Sequence, residues 1–292
     1  MAWAWLLWVG CGPGEPVLDL APDPTRTGEA GEHGPFGAAH LMLDLNARVT
    51  DRVKFEVSWP SDDAGEPVRS EGELPVIALV QGGLVDLEDY RWLATHFASR
   101  GYLVVRPEHD LDLAIAETAN VSIAVDELER LHTRPGDRLE GLISDRMAIG
   151  GHSLGGAVAA FRWVAEPRFE GLMLLASWPA DSADVEGFST RPLVSLIGGQ
   201  EHGDSPQTAF DAVQRFDGPS LFGLVDGMNH MDWTDAPDGS GALEDGTSTR
   251  PRAETRVDAQ HVLDVWLDAW LRDDDAAMDR LDESFEGIGD TP

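Results

Sequence analysis

Apolar and polar side chains alternate over residues 40–45 and again over 53–59, the period of half-buried strands, and Pro60-Ser61-Asp62-Asp63-Ala64-Gly65 supplies turn chemistry. Both runs read as antiparallel strands at the start of a domain. Beyond residue 75 the alternation gives way to short uninterrupted apolar runs at 76–80, 103–105, 147–150, 172–176, 193–197 and 221–225, with helical segments between most of them. A strand that is apolar throughout is buried on both faces. The pattern therefore predicts an α/β fold with a mostly parallel central sheet of about eight strands and helices on both faces. Tyr90, Leu93, Ala94 and Phe97 fall at i, i+3, i+4, i+7 and make one buried stripe ending near Gly101, a helix stop. A last helix is predicted over 257–272, where Val262, Val265, Trp266 and Ala269 repeat that spacing and Trp266 and Trp270 read as packing. From Asp273 onward the chain is acidic and is expected to fray.

With 292 residues and 42% hydrophobic content the chain can bury one large core. The net charge is −32 and Lys54 is the only lysine, so a nucleic acid partner is disfavoured; an acidic, lysine-poor surface also suits work at raised salt. Cys11 is the only cysteine, which excludes an intramolecular disulfide. The apolar run 2–10 is too short to span a bilayer, which needs roughly 20 apolar residues. It suits the apolar region of a signal peptide. With small Gly10 before Cys11, the start resembles a bacterial lipoprotein signal, although no Lys or Arg precedes the run and Trp8 stands where leucine is usual. The resemblance implies export, lipidation of Cys11 and a membrane anchor. Residues 12–35, rich in Gly, Pro, Asp, Glu and Thr without periodicity, read as a flexible linker. The expected layout is 1–11 signal, 12–35 linker, 36–275 the α/β domain and 276–292 acidic tail.

The chemistry centres on Ser153. The apolar strand Met147-Ala148-Ile149-Gly150 runs into Gly151-His152-Ser153-Leu154-Gly155-Gly156, and Ala157-Val158-Ala159-Ala160-Phe161 continues as a helix. Strand, sharp turn and helix around Gly-x-Ser-x-Gly resembles the nucleophile elbow of α/β-hydrolases, in which small neighbours let strand and helix approach and the strained turn presents the hydroxyl. A hydroxyl is a weak nucleophile near neutral pH and needs a base oriented by a carboxylate. In that fold the order is serine, acid, histidine, which sets aside the six histidines up to His152. His261 lies inside the last helix and His202 just past a strand. His230, in the loop Gly227-Met228-Asn229-His230-Met231-Asp232 after the last apolar strand, is the expected base.

The stretch 34–272 resembles the branch of α/β-hydrolases that contains chlorophyllases, plasma-type platelet-activating-factor acetylhydrolases, dienelactone hydrolases and cutinase-like polyester hydrolases. The set Arg106-Pro107-Glu108-His109, Ser144-Asp145-Arg146 and Asn229-His230 adds to the likeness. The resemblance implies an acid three residues after a strand-ending glycine, which maps Gly198 to Glu201; Asp is commoner there, and Asp204 remains the alternative. It implies an oxyanion hole from the backbone N–H of Leu154 and of Gly83 in Gln81-Gly82-Gly83-Leu84, with Gln81 where histidine is usual. Trp178 stands where cutinase-like hydrolases place a tryptophan along the substrate cleft, and Trp233 is a second candidate for an apolar wall.

The expected function is hydrolysis of a small-molecule or lipid-like ester through Ser153, His230 and Glu201, with no metal or organic cofactor implied. A non-catalytic surface binding lipoprotein on a degenerate hydrolase fold, and an acyltransferase or peptidase using the same nucleophile, stay open from sequence. Asp232, Asp235 and Asp238 fail the helix-loop-helix calcium spacing and are expected in a solvated acidic loop.

Overall fold

A computed structural model describes residues 17–18, 31, 33–45, 53–109, 118–179, 190–236 and 245–292. Cys11 and the apolar run before it lie outside the described residues. The strands are β1 (Val17–Leu18), β2 (Gly37–Leu45), β3 (Val53–Ser61), β4 (Leu74–Val80), β5 (Leu103–Pro107), β6 (Ile143–His152), β7 (Phe169–Leu175), β8 (Leu193–Gly198), β9 (Ser220–Val225) and β10 (Ile288–Gly289). Among the described residues they form one sheet in the order β1-β2-β3-β5-β4-β6-β7-β8-β9-β10. From β5 to β9 every pairing is parallel. β2 and β3 pair antiparallel with each other, and β3 joins β5 antiparallel. Eight substantial strands, two of them antiparallel at one side, match the expectation from the apolar runs, and two-residue strands close the edges.

The helices are α1 (Arg91–Ser99), α2 (Thr118–His132), α3 (Leu154–Ala165), α4 (Ser205–Gln214), α5 (Arg252–Leu271) and α6 (Asp275–Arg280). Strand side chains alternate between faces, and β4 shows why its run is apolar throughout. Val76, Ala78 and Val80 join a core with Val121 and Leu128 of α2 and Val158 and Trp163 of α3. Ile77 and Leu79 join the opposite core with Leu93 and Phe97 of α1 and Val262 and Trp266 of α5. Trp266 is fully buried and Trp270 packs beside it, as expected of a helical apolar stripe.

A buried ionic network braces the sheet beneath α1. Glu56 of β3, only 1% exposed, accepts hydrogen bonds from Arg106 of β5 and from Arg91, the latter at 2.5 Å. Arg106 also donates to the Leu87 carbonyl at 2.7 Å, so it pins the 3-10 turn Leu87–Tyr90 that leads into α1. Burial alone pushes the Glu56 carboxyl up, but the His40 hydrogen bond and the Arg106 charge overcome it and hold Glu56 well below the usual carboxylate range.

One expectation is corrected. The acidic end does not fray: Asp274 caps α6 by accepting from the N–H of Ala276 and Ala277 at 2.9 and 3.2 Å, and Ala277 packs on Val265 and Ala269 of α5. β10 then pairs antiparallel with β9. Met278, Leu281 and Phe285 supply the apolar face that the acidic composition hides. Of residues 12–35, those at 17–18, 31 and 33–35 are described. The Gly31 N–H donates to Asp264 at 2.7 Å and the Gly34 N–H to Ser99 at 2.8 Å, bonds that leave no periodic signature.

Candidate active site

β6 ends at His152, and Ser153 stands between it and the first residue of α3 with φ 53° and ψ −123°, a left-handed conformation that a residue with a Cβ rarely adopts. Holding it costs on the order of 1–3 kcal/mol, which surrounding structure must offset. The Ser153 N–H donates to the Leu175 carbonyl at 2.9 Å, and its own carbonyl accepts from the Ser177 hydroxyl at 2.7 Å. A Cβ on Gly151 would lie 2.4 Å from the Gly155 backbone, so only glycine lets strand and helix meet this closely.

Leu154 opens α3, so its N–H has no carbonyl partner within the helix and is free to face a ligand. The Gln81–Leu84 loop at the end of β4 comes to the same place: a Cβ on Gly83 would lie 3.2 Å from the Leu154 side chain. Gln81 is buried, and its amide bridges the carbonyls of Val85 and His109 at 3.0 and 3.4 Å. It thus shapes the loop where a histidine was expected.

His230 and Glu201 meet. The Nδ1 of His230 lies 2.8 Å from Glu201 Oε2, with the two side chains 9% and 3% exposed. Glu201 follows β8, and His230 opens the 3-10 turn His230–Trp233 in the loop after β9. Parallel strands deliver both loops to the same edge of the sheet as the elbow. The His152 and His230 rings are 4.6 Å apart, which puts His230 beside the residue preceding Ser153. Asp204, the alternative acid, is exposed at the start of α4. His202 is exposed as well, and His261 bonds Arg280 and packs on Phe285, away from the elbow.

The His230 turn is built by carboxylates that the sequence reading missed. Asn229 and Asp232 form a reciprocal cap, the Asn229 side chain accepting from the Asp232 N–H and the Asp232 carboxylate from the Asn229 N–H, both at 3.0 Å. Asp232 also accepts from Ser248 and from Arg252 at 2.5 and 3.1 Å. The solvated loop expected there is corrected at Asp232, which is buried where three donors, from Asn229, Ser248 and Arg252, converge on its carboxylate. Asp245 accepts from the N–H of His230 and of Met231 at 2.5 and 3.3 Å. Burial pushes the His230 imidazole down, but the hydrogen bond and charge of Glu201, with the charge of Asp245, outweigh it and leave His230 above its ordinary value. Burial pushes Glu201 up, against the pull of His230.

A serine elbow, a buried histidine–carboxylate pair and two converging backbone loops occupy one edge of a parallel sheet. The sequence model described as Alpha/beta hydrolase family matches residues 76–252, more than half of the chain. The chain belongs to the alpha/beta hydrolase family. No curated protein matches it. Among solved structures, the ferulic acid esterase from Streptomyces cinnamoneus superimposes with a TM-score of 0.69 at 18% identity, over 87% of this chain and 96% of that one. At that identity the likeness is one of fold.

In this hydrolase Trp178 follows Ser177 at the elbow and is half-buried, whereas Trp233 is 1% exposed within the core beside α5, so the second candidate for an apolar wall is a packing residue. Among the described residues no cluster of three or more His, Cys, Asp or Glu could hold a metal ion, and no helix is long and apolar enough to cross a membrane.

Proposed function

We propose that this hydrolase cleaves carboxylic esters of small or lipid-like substrates, with Ser153 as nucleophile, His230 as general base and Glu201 as the acid of the triad. The observation that carries the reading is the buried 2.8 Å contact between His230 Nδ1 and Glu201, delivered to the edge of the sheet where the strained Ser153 sits. With Glu201 accepting the Nδ1 proton, Nε2 carries the lone pair that takes a proton from the serine hydroxyl. Ser153 Oγ adds to the ester carbonyl, and its proton passes to His230. The alkoxide that forms is stabilised by the N–H of Leu154 and of Gly83, each contributing on the order of 3 kcal/mol. Collapse breaks the ester C–O bond and His230 returns the proton to the departing alcohol, which leaves an acyl group on Ser153. Water then attacks with His230 again as base, and the acid is released. Trp178 offers an apolar wall for the acyl or alcohol group. The esterase named among the solved structures is compatible with this reaction and lends it a substrate class to try first, esters of ferulic acid.

The test is turnover of a short-chain aryl ester together with fluorophosphonate labelling of Ser153. The reading requires both to be lost in Ser153→Ala. A hydrolytically silent wild type that still binds esters would favour the degenerate binding lipoprotein, and transfer to an alcohol or amine in preference to water would favour an acyltransferase. Export and lipidation of Cys11 belong to the proposal on sequence grounds alone, from the apolar run, Gly10 and the single cysteine.

A further inference from the structure

The residue before the nucleophile joins three parts of the site that are far apart in sequence. His152 is 1% exposed, and its Nε2 lies 3.0 Å from the main-chain carbonyl oxygen of His230. Its Nδ1 lies 2.8 Å from the Tyr90 hydroxyl. That hydroxyl oxygen in turn accepts the Gly82 N–H at 2.9 Å. For a neutral His152 ring only one proton arrangement satisfies all three contacts. A carbonyl can only accept, so His152 Nε2 must carry hydrogen; Nδ1 of the neutral ring then accepts from the Tyr90 O–H. The hydroxyl, having donated to His152, receives from Gly82. The bonds run in one direction from Gly82 through Tyr90 and His152 to the carbonyl of His230.

The ends of this chain are the two places where geometry sets the rate. Gly82 adjoins Gly83, an oxyanion donor, and the carbonyl belongs to the general base itself. Space around the chain is tight: a Cβ on Gly82 would fall 2.8 Å from both His152 Nδ1 and the Tyr90 oxygen. Tyr90 is itself 1% exposed, at the end of the 3-10 turn that Arg106 pins. The groups that face His152 are Tyr90 from the turn before α1 and His230 from the loop after β9. Burial, with the nearby His230, pushes the His152 imidazole well below its ordinary value, which keeps it neutral while His230 cycles through its charged form.

We propose that His152 and Tyr90 are positioning residues whose directional hydrogen bonds fix the oxyanion loop at Gly82-Gly83 and the base His230 at a set distance from each other. The inference rests on the ester-hydrolase reading for its kinetic meaning, but its geometry can be tested without turnover. In wild-type protein, nitrogen NMR of labelled histidine should report His152 as the neutral Nε2–H form across the neutral pH range, and Tyr90→Phe should move its Nδ1 signal by removing the donor. Turnover of an aryl ester by Tyr90→Phe should fall about 10- to 100-fold in kcat, as for a small misplacement of reacting groups, with KM little changed. His152→Gln keeps a donor toward the His230 carbonyl but breaks the link to Tyr90, so it should lose a similar factor. The double variant should be scarcely worse than the poorer single one, because both changes break one chain.

An Nδ1–H or doubly protonated His152 in the wild type would overturn the inference even if no variant folds. So would an unchanged kcat in Tyr90→Phe, or losses in the two variants that multiply. Failure of the parent reading looks different: wild-type protein would then neither turn over aryl esters nor label at Ser153, whatever form His152 takes.

Discussion

Replacing Glu201 by glutamine keeps the shape of the side chain and removes its charge at the one atom that touches His230. In the native site Oε2 accepts the Nδ1 proton at 2.8 Å, and Oε1 has no hydrogen-bond partner among the described residues. The amide of the variant can turn its NH2 to Nδ1, which drives the ring proton to Nε2, the atom that must receive the proton of Ser153. It can instead turn its oxygen to Nδ1, and then a buried NH2 is left without a partner. In both cases the imidazolium formed during attack loses a counter-charge. For unit charges about 4 Å apart at an effective dielectric constant near 20 this interaction is about 4 kcal/mol. Together with the wrong tautomer the loss should approach 10⁴ in kcat, about 5 kcal/mol. Initial rates on an aryl ester across pH would measure it, with Asp204→Asn as the control; Asp204 is exposed and away from His230, so that variant should keep wild-type rates. The acid limb of the profile gives a second reading. The active base is neutral, so activity falls as pH drops through the His230 pKa, which Glu201 and Asp245 hold above the ordinary histidine value despite burial. Without the Glu201 charge that limb should move to lower pH. A glutamine variant within tenfold of wild type, or a larger loss in Asp204→Asn, would refute the assignment of the acid.

Ser153→Ala and His230→Ala should each lower kcat by about 10⁴ to 10⁶, and the double variant should be scarcely slower, since triad members act as one unit; retained turnover in Ser153→Ala would end the serine mechanism. Asp245→Asn keeps an acceptor for the N–H groups of His230 and Met231 but removes a negative charge, so the acid limb of kcat/KM should shift to lower pH, and an upward shift would contradict the electrostatics. Glu56→Gln leaves buried Arg106 without its counter-charge and should lower unfolding free energy by about 3–5 kcal/mol in denaturant titrations at neutral pH. Because the folded carboxyl of Glu56 is depressed, its contribution is present above the ordinary carboxylate range and lost as pH falls through the folded value, so wild type and variant should converge in strong acid. Full-length protein made in a bacterium should partition with membranes and lose that behaviour on Cys11→Ser; mass spectrometry finding Met1 intact and Cys11 unmodified would refute lipidation.

The strands, the elbow and the place of His230 were legible in the chain because each leaves a local or ordered trace. Runs such as 76–80 are apolar at every position because β4 is packed on both faces, and small residues around Ser153 are required by a turn whose backbones nearly touch. His230 followed from chain order, since the loop after β9 reaches the sheet edge last. The choice between Glu201 and Asp204 was not legible. Both lie in one short acidic loop, and only the fold decides which carboxylate turns inward to His230 and which is left in water. Asp232 read as a solvated loop residue because nothing in its neighbourhood announces that Asn229, Ser248 and Arg252 converge on it. Asp245 and the Gly82–Tyr90–His152 chain were silent for the same reason. Hydrophobic period records which face of an element is buried, and spacing records which residues share a turn. A hydrogen bond between residues 62 or 78 positions apart, as from Tyr90 to His152 and from His152 to His230, is set by how the sheet brings its loops together, and only the tertiary structure contains that.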